Sequence, residues 1–246
     1  MVVGDTGLAA SHVVWQWLAA HSWPDWKVEV LTAETADIQW GEPPSSVEWY
    51  PPWARATTIP EATVAYLKVA TDPRLMLGLR SDADLLVVGR TAERRTSLLG
   101  GTTEWLVHHP PAPLAIIATG DEVRKVTVCA DGSEHATATL ELFTSLPFAA
   151  GTEVTVFSVD DGRSDADAAS SAAAGALAGR VGSVETVVVK DTPTRAILAH
   201  LETARPDLVV VGTRGLTGWK RIRLGSTAGA VARSAKCNIL VGAADL

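Results

Sequence analysis

A glycine loop near the end of the chain has the composition of a phosphate-binding site. Gly212 ends an apolar run, Gly215 follows it closely, and Gly225 and Ser226 come after nine intervening residues. Glycine permits positive φ and lets a ligand approach the backbone. An alanine-rich helical run follows, and the free N–H groups and dipole of a helix N-terminus favour an anion. The spacing predicts a phosphate site at these four residues.

Hydroxyl and cationic side chains add to the predicted phosphate site. Ser226 and Thr227 are good N-cap residues for the helical run. Arg214 lies inside the glycine turn, and three further cations follow it in the loop: Lys220, Arg221 and Arg223. Four cations would offset a triphosphate. The last three are alternatively solvated surface charges.

A carboxylate is expected opposite these phosphate contacts. Asp131 follows the apolar run 126–130, as Gly212 follows the run 208–211. In a doubly wound sheet of order 3-2-1-4-5, ligands bind at the switch point between the first and fourth strands. Asp131 would accept hydrogen bonds from ribose hydroxyls there. Alternatively, it caps the following helix together with Ser133.

The elements that must position these residues alternate between strands and helices. The strands are continuous Val, Ile and Leu runs, typical of a parallel sheet covered on both faces. Strands are expected near 125–130, 153–159, 184–190, 207–212 and 238–242. Helices are expected near 133–146, 165–181, 193–204 and 226–235. The pattern predicts a doubly wound, Rossmann-like α/β fold.

The same pattern occurs twice in the chain. The run Val2–Asp5 matches Val128–Asp131 at an offset of 126, and Asp84–Gly89 matches Asp207–Gly212 at an offset of 123. Ordered matches at nearly one offset indicate a tandem duplication. We therefore predict two tandem five-stranded domains, the first copy (residues 1–120) and the second copy (residues 121–246).

The first copy differs from the second in composition. Between Trp40 and Thr58 lie four prolines together with Trp49 and Trp53, which predicts an extended or looped insert. Eight of the nine tryptophans lie in this copy. We expect ordinary packing against the first sheet, with a partner-binding surface as the alternative.

The second copy resembles the universal stress protein family. ATP-binding members carry G-x2-G-x9-G-[ST] after the fourth strand, and the glycine loop fits this motif without a gap. The run from Val128 to Ser133 is similar to the family's first strand and Asp-Gly-Ser turn. The resemblance extends over both copies. It implies a tandem-domain member that binds ATP, together with Mg²⁺, as a non-catalytic or very slowly hydrolysing regulator in the stress response.

The resemblance also implies a role for each site residue. Asp131 and Gly212 would contact the ribose, and Val159, at the end of the second strand, would contact the adenine. The phosphates would be held by Gly215, Gly225, Ser226 and Thr227. Family members commonly dimerise through their last strand. Residues 114–117 and 239–241 would imitate that pairing inside one chain, and a further homodimer stays open.

The first copy departs from the motif. Gly89 keeps the first glycine, but Ala92 stands at the second position, only seven residues separate it from Gly100, and Gly101 replaces the hydroxyl residue. Asp5 is aligned with the carboxylate of the second copy. An added Cβ, a shorter loop and a lost hydroxyl each weaken a phosphate site. One nucleotide site per chain is predicted.

Composition limits the remaining function classes. A net charge of −7 and a pI near 5.4 provide no basic field for nucleic acid or an anionic membrane. No apolar run of about 20 residues and no secretory signal occurs, so a cytoplasmic location is expected. Cys129 and Cys237 lie in apolar runs and are interpreted as buried structural thiols.

No catalytic pattern stands out in the sequence. The phosphate-loop lysine motif GxxxxGK[ST] is missing, and the six histidines are scattered. Two alternatives to the regulator stay open. One is an interaction module that works without nucleotide through the Trp/Pro-rich first copy, and the other is a weak ATP hydrolase.

Overall fold

The computed structural model describes residues 1–5, 11–33, 58–90, 99–213 and 225–242. Within these ranges, ten strands form one sheet and helices pack against both of its faces. No helix in the described part of the chain is long and apolar enough to cross a bilayer.

The bounds of the elements agree with the predicted alternation. The strands are β1 (Val2–Asp5), β2 (Lys27–Ala33), β3 (Thr63–Val69), β4 (Leu86–Gly89), β5 (Leu114–Ile117), β6 (Lys125–Cys129), β7 (Glu153–Asp160), β8 (Ser183–Lys190), β9 (Leu208–Val211) and β10 (Asn238–Val241). The α-helices are α1 (His12–Ala19), α2 (Pro73–Gly78), α3 (Gly101–His108), α4 (Glu134–Ser145), α5 (Ala166–Leu177), α6 (Pro193–Ala204) and α7 (Ser226–Ser234).

One predicted helix is too long. The alanine-rich run indicates a helix near 165–181, but α5 ends at Leu177. Gly179 has a φ of +73°, a left-handed conformation that glycine adopts without steric cost and that stops a helix. The chain then turns directly into β8.

The order of strands confirms the predicted fold class. The sheet runs β3-β2-β1-β4-β5-β10-β9-β6-β7-β8, so each copy has the order 3-2-1-4-5 counted along its own strands. Neighbours within each copy are parallel. In each copy the first strand lies between the second and the fourth, which creates the predicted switch point.

The two copies meet at the centre of the sheet. β5 and β10 pair antiparallel, with Ile116 opposite Ile239 and Leu114 opposite Val241. Both strands are buried along their whole length. The predicted pairing of the two last strands is therefore present within one chain, and each apolar strand covers the edge of the other.

An aromatic cluster joins the copies on one face of the sheet. Trp17, His21 and Trp23 of the first copy surround Phe148 of the second, with ring centroids 4.5 to 6.0 Å from the Phe148 ring. Trp15, Trp17 and Trp23 are buried, which confirms the expected packing role for these three. The insert that contains Trp40, Trp49 and Trp53 lies outside the described residues.

His21 is held as a neutral ring at this junction. Its Nε2 accepts a hydrogen bond from the Val123 N–H at 3.0 Å, and its Nδ1 lies 2.7 Å from the Trp17 carbonyl oxygen, so Nδ1 carries the proton. Burial lowers the pKa of His21 below its ordinary value. A second proton would oppose the Val123 N–H and place a charge among aromatic rings.

We expect this histidine to make the fold less stable in acid. Because the folded pKa lies below the unfolded value of about 6.5, the stability conferred by the neutral ring is complete above that pH. It falls as the pH drops through the folded pKa. Urea unfolding between pH 5 and pH 8 should show a shallower acid decline in His21→Gln than in the wild type.

The exposed His12 on α1 provides the matched control for this prediction. His12→Gln should retain the wild-type dependence of unfolding free energy on pH. An unchanged acid decline in His21→Gln would show that other groups cause it.

Candidate functional site

A crevice opens at the carboxyl ends of β6, β7 and β9 in the second copy. It encloses about 200 Å³. Six of the residues predicted from the sequence line it: Asp131, Val159, Gly212, Gly225, Ser226 and Thr227. The other two predicted site residues, Arg214 and Gly215, lie outside the described residues, as do Lys220, Arg221 and Arg223.

Gly212 is required for the close approach of β9 to α4. A Cβ on Gly212 would lie 2.9 Å from the Ala136 nitrogen and 3.1 Å from its Cα. These are backbone atoms and cannot rotate away. The φ of Gly212 lies outside the left-handed region, so the close contact with α4 is what requires glycine here. Its lack of a side chain lets strand and helix touch at the rim of the crevice.

The second wall of the crevice is the beginning of α7. Gly225 is the N-cap, with φ −59° and ψ 156°, and its N–H donates to the Thr213 carbonyl oxygen at 2.6 Å. Ser226 and Thr227 were expected as caps, but they are the first two helical residues. Because glycine has no side chain, the helix N-terminus receives no side-chain hydrogen bond at its cap. Such a terminus favours an anionic ligand.

Asp131 both shapes a turn and borders the crevice. Its Oδ1 accepts a hydrogen bond from the Ser133 N–H at 3.0 Å, and the Ser133 Oγ accepts one from the Ala136 N–H at 3.2 Å. Gly132 between them has a φ of +77°, which favours glycine. Ser133 is thus the N-cap of α4, while Asp131 remains half-buried on the crevice wall.

Apolar side chains form another part of the crevice lining, the apolar wall. It consists of Phe157 and Val159 of β7 together with Pro193 and Ile197 of α6. A flat heteroaromatic ring suits such a wall, since most of a bound ligand's surface is buried against apolar groups. The crevice therefore combines an apolar side with a side rich in backbone N–H groups and hydroxyls.

Several lining residues were not predicted from the sequence. They follow β7 or begin α6, and they are Asp161, Arg163, Ser164, Pro193 and Ile197. The rule that identified Asp131, namely that ligands bind beyond the carboxyl ends of strands, applies equally to the strands β7 and β8. Arg163 forms an ion pair with Asp161 at 3.7 Å and adds a cation beside the apolar wall.

Both cysteine thiols of the chain are neutral. Cys129 lines the crevice, and burial raises the pKa of its thiol to about 12. Burial also raises the pKa of the Cys237 thiol to about 11. Both cysteines are free, as the sequence predicted. Since the thiolate is the nucleophile, neither is activated for catalysis at neutral pH.

The first copy keeps the backbone hydrogen bond that closes the glycine loop of the second copy. The Gly100 N–H donates to the Arg90 carbonyl oxygen at 3.2 Å, as Gly225 does to Thr213, and Gly100 caps α3 with φ −66° and ψ 151°. The Thr103 hydroxyl, however, donates to the Gly89 carbonyl oxygen at 2.8 Å. The backbone frame is therefore shared, although the side chains around it differ.

The carboxylate of the first copy lies on the other side of the sheet from the predicted position. Val3 pairs with Val87, two residues before Gly89, and Val128 pairs with Val210, two residues before Gly212. Superposing the glycines thus places Asp5 on Ala130. The alignment of Asp5 with Asp131 was wrong by one residue, and in a strand one residue reverses the face.

The side chain of Asp5 confirms this register. It is 4% exposed, and its Oδ2 accepts a hydrogen bond from the Trp15 indole N–H at 3.2 Å. Trp15 belongs to the core on the α1 face of the sheet. Asp5 is consequently a buried hydrogen-bond partner of a tryptophan, whereas Asp131 borders the crevice of the second copy.

The strand order and the crevice at one switch point place this chain among the doubly wound α/β proteins. Residues 160–241 match the model of the Universal stress protein family. Universal stress protein Rv2623 of Mycobacterium tuberculosis is 30% identical over 224 residues, which cover 80% of this chain and 70% of that protein. The chain belongs to the universal stress protein family.

Two further similarities agree with this assignment. Universal stress protein MJ0531 of Methanocaldococcus jannaschii is 40% identical over 58 residues, 24% of this chain and 34% of that protein, so the chain matches about a third of that relative. The crystal structure of a universal stress protein from Archaeoglobus fulgidus has a TM-score of 0.69 at 20% identity. It covers 100% of this chain and 97% of that chain, which shows a shared fold.

Proposed function

We propose that this protein binds one ATP in the crevice of the second copy and acts as a non-catalytic or very slowly hydrolysing regulator in the stress response. We also propose that the two copies, residues 1–120 and 121–246, are separate domains that share one sheet. The observation that carries the proposal is that Gly212, Gly225, Ser226 and Thr227 line one crevice together with the apolar wall.

The two walls suit the two ends of a nucleotide. The uncapped beginning of α7 and the hydroxyls of Ser226 and Thr227 would bind the phosphates. Val159 and Ile197 would contact the adenine. Asp131 lines the same crevice, and a carboxylate accepts hydrogen bonds from ribose hydroxyls. Arg214 and Gly215 would complete the phosphate contacts, as the motif implies.

A bound Mg²⁺ would depend mainly on the nucleotide. Among the described residues, no three His, Cys, Asp or Glu side chains are grouped as a metal site. Mg²⁺ is commonly held by one or two carboxylates and the substrate phosphates. Asp131 and Asp161 are the carboxylates among the described lining residues of the crevice, and the remaining ligands would be phosphate oxygens and water.

A regulator is favoured over an enzyme because the described crevice lining offers only the carboxylates of Asp131 and Asp161 as candidate bases. No histidine lines the crevice in the described part of the chain, and the Cys129 thiol is neutral. General base catalysis needs a group within hydrogen-bond reach of the attacking water.

Three further statements stay predictions from the sequence. They are the interaction module based on Trp49 and Trp53, the cytoplasmic location and a homodimer.

A charge at the first residue of α7 tests the proposal. Ser226→Asp places a carboxylate at a helix N-terminus, which stabilises the helix by about 0.3–1 kcal/mol but repels a phosphate. We expect the dissociation constant for Mg-ATP, measured by isothermal titration, to rise at least about tenfold while the melting temperature does not fall.

The first copy, which departs from the phosphate motif, supplies the matched control. Gly101 is the first residue of α3, and a side chain there would meet no atom within 4 Å. Gly101→Asp should leave Mg-ATP affinity at the wild-type value. The proposal fails if the wild type releases no heat with Mg-ATP, or if both variants weaken binding equally.

A further inference from the structure

The side chain of Arg90 crosses from the first copy to the second. Arg90 follows β4, and its Nη2 donates to the Arg233 carbonyl oxygen at 2.7 Å. Its Nη1 donates to the carbonyl oxygen of Ala235, the C-cap of α7. One guanidinium thus covers two carbonyls at the end of the helix whose beginning lines the crevice.

The backbone of Arg90 is itself fixed. Its N–H donates to the Ile117 carbonyl oxygen at 2.8 Å, and its carbonyl oxygen accepts from the Gly100 N–H at 3.2 Å. A second contact joins the first copy to α7, because Arg233 Nη1 of α7 lies 3.9 Å from Glu104 Oε1 of α3. The first copy therefore presents a rigid base from which the guanidinium reaches α7.

The end of a helix is where such a contact has the most effect. The last four carbonyls of a helix lack intrahelical partners, and a cation there also complements the helix dipole. The planar guanidinium of arginine can donate to two carbonyl oxygens at once. The ammonium of lysine is a single point charge without this fork of donors. The two hydrogen bonds hold the last turn of α7 against the first copy.

The influence of Arg90 on the crevice must pass through the helix itself. A helix of nine residues is about 13 Å long, which exceeds the Debye length of about 8 Å at physiological salt. Direct attraction between Arg90 and a phosphate at the far end is thus largely screened. If a short helix loses order at its C-terminal end, however, the N–H groups at its N-terminus are also held less firmly in the alignment that binds a phosphate.

We propose that Arg90 is a positioning residue for the nucleotide site of the other copy. It holds α7 so that Ser226 and Thr227 stay aligned with Gly212, and the inference rests on the proposed function of the crevice. The loop that has lost the phosphate motif thereby supports the loop that retains it. Because coupling is reciprocal, bound nucleotide strengthens the contact between the copies.

The test compares Arg90→Ala and Arg90→Lys with Arg180→Ala. Arg180 forms an exposed ion pair with Glu141 in the second copy and serves as the control. In the nucleotide-free protein, amides of residues 226–235 should exchange hydrogen faster in Arg90→Ala than in the wild type, relative to the amides of α4. Mg-ATP should bind about threefold to tenfold more weakly, with Arg90→Lys intermediate and Arg180→Ala unchanged.

Each outcome decides between the claims. Unchanged exchange in α7, or faster exchange with unchanged affinity, overturns the positioning role. Faster exchange together with a wild type that binds no nucleotide overturns the proposed function and leaves Arg90 as a purely structural contact.

Discussion

Gly212→Ala is expected to lower the free energy of unfolding by about 1–3 kcal/mol and to weaken nucleotide binding at least about tenfold. The added Cβ would lie 2.9 Å from the Ala136 nitrogen, so either β9 or the first turn of α4 must shift. Both border the crevice. Urea unfolding and isothermal titration with Mg-ATP measure the two effects on one variant.

Gly175→Ala is the matched control in the same copy. Gly175 lies on the exposed side of α5, and its Cβ would meet no atom within 4 Å. Alanine in a helix interior is favoured over glycine by about 0.5–1 kcal/mol. This variant should gain stability and retain affinity. If Gly212→Ala had the same free energy of unfolding as the wild type, the close approach of β9 to α4 would be contradicted.

Trp17→Ala is expected to cost about 3–5 kcal/mol of unfolding free energy. Trp17 is 2% exposed and contacts the rings of His21, Trp23 and Phe148. Its removal would leave a cavity at the junction of the two copies. Trp17→Phe should cost less, since the Trp17 Nε1 has no hydrogen-bond partner among the described residues.

A double-mutant cycle with Phe148→Ala tests whether the cluster joins the copies. Because the two rings are in contact, the costs of Trp17→Ala and Phe148→Ala should not add, and the coupling should be about 0.5–3 kcal/mol. Trp26→Ala, at the half-buried edge of the cluster, should be milder. Strict additivity of Trp17→Ala and Phe148→Ala would contradict a shared core.

The fold was predictable because its strands have a strong local signal. Parallel strands covered on both faces are continuous apolar runs, and β9 and β10, which are buried along their whole length, are the clearest examples in the second copy. The order of the strands then followed from the duplication and from the order 3-2-1-4-5 of a doubly wound sheet. The positions of Asp131 and Gly212 at one crevice followed in turn from that order.

The remaining details depend on contacts that sequence patterns do not record. The one-residue slip of Asp5 relative to Asp131 is visible only from the pairing of Val3 with Val87, because both registers place a carboxylate near the end of an apolar run. The need for glycine at 212 comes from the backbone of α4. The link from Arg90 to α7 joins residues more than 140 positions apart.

Native mass spectrometry of the purified chain after incubation with Mg-ATP tests the central claim most directly, because it counts bound nucleotides. The intact crevice of the second copy and the buried Asp5 of the first predict one nucleotide per chain, lost in Ser226→Asp and retained in Gly101→Asp. A chain that binds no nucleotide would contradict the proposed site. A chain that binds two would contradict the claim that only the second copy has one.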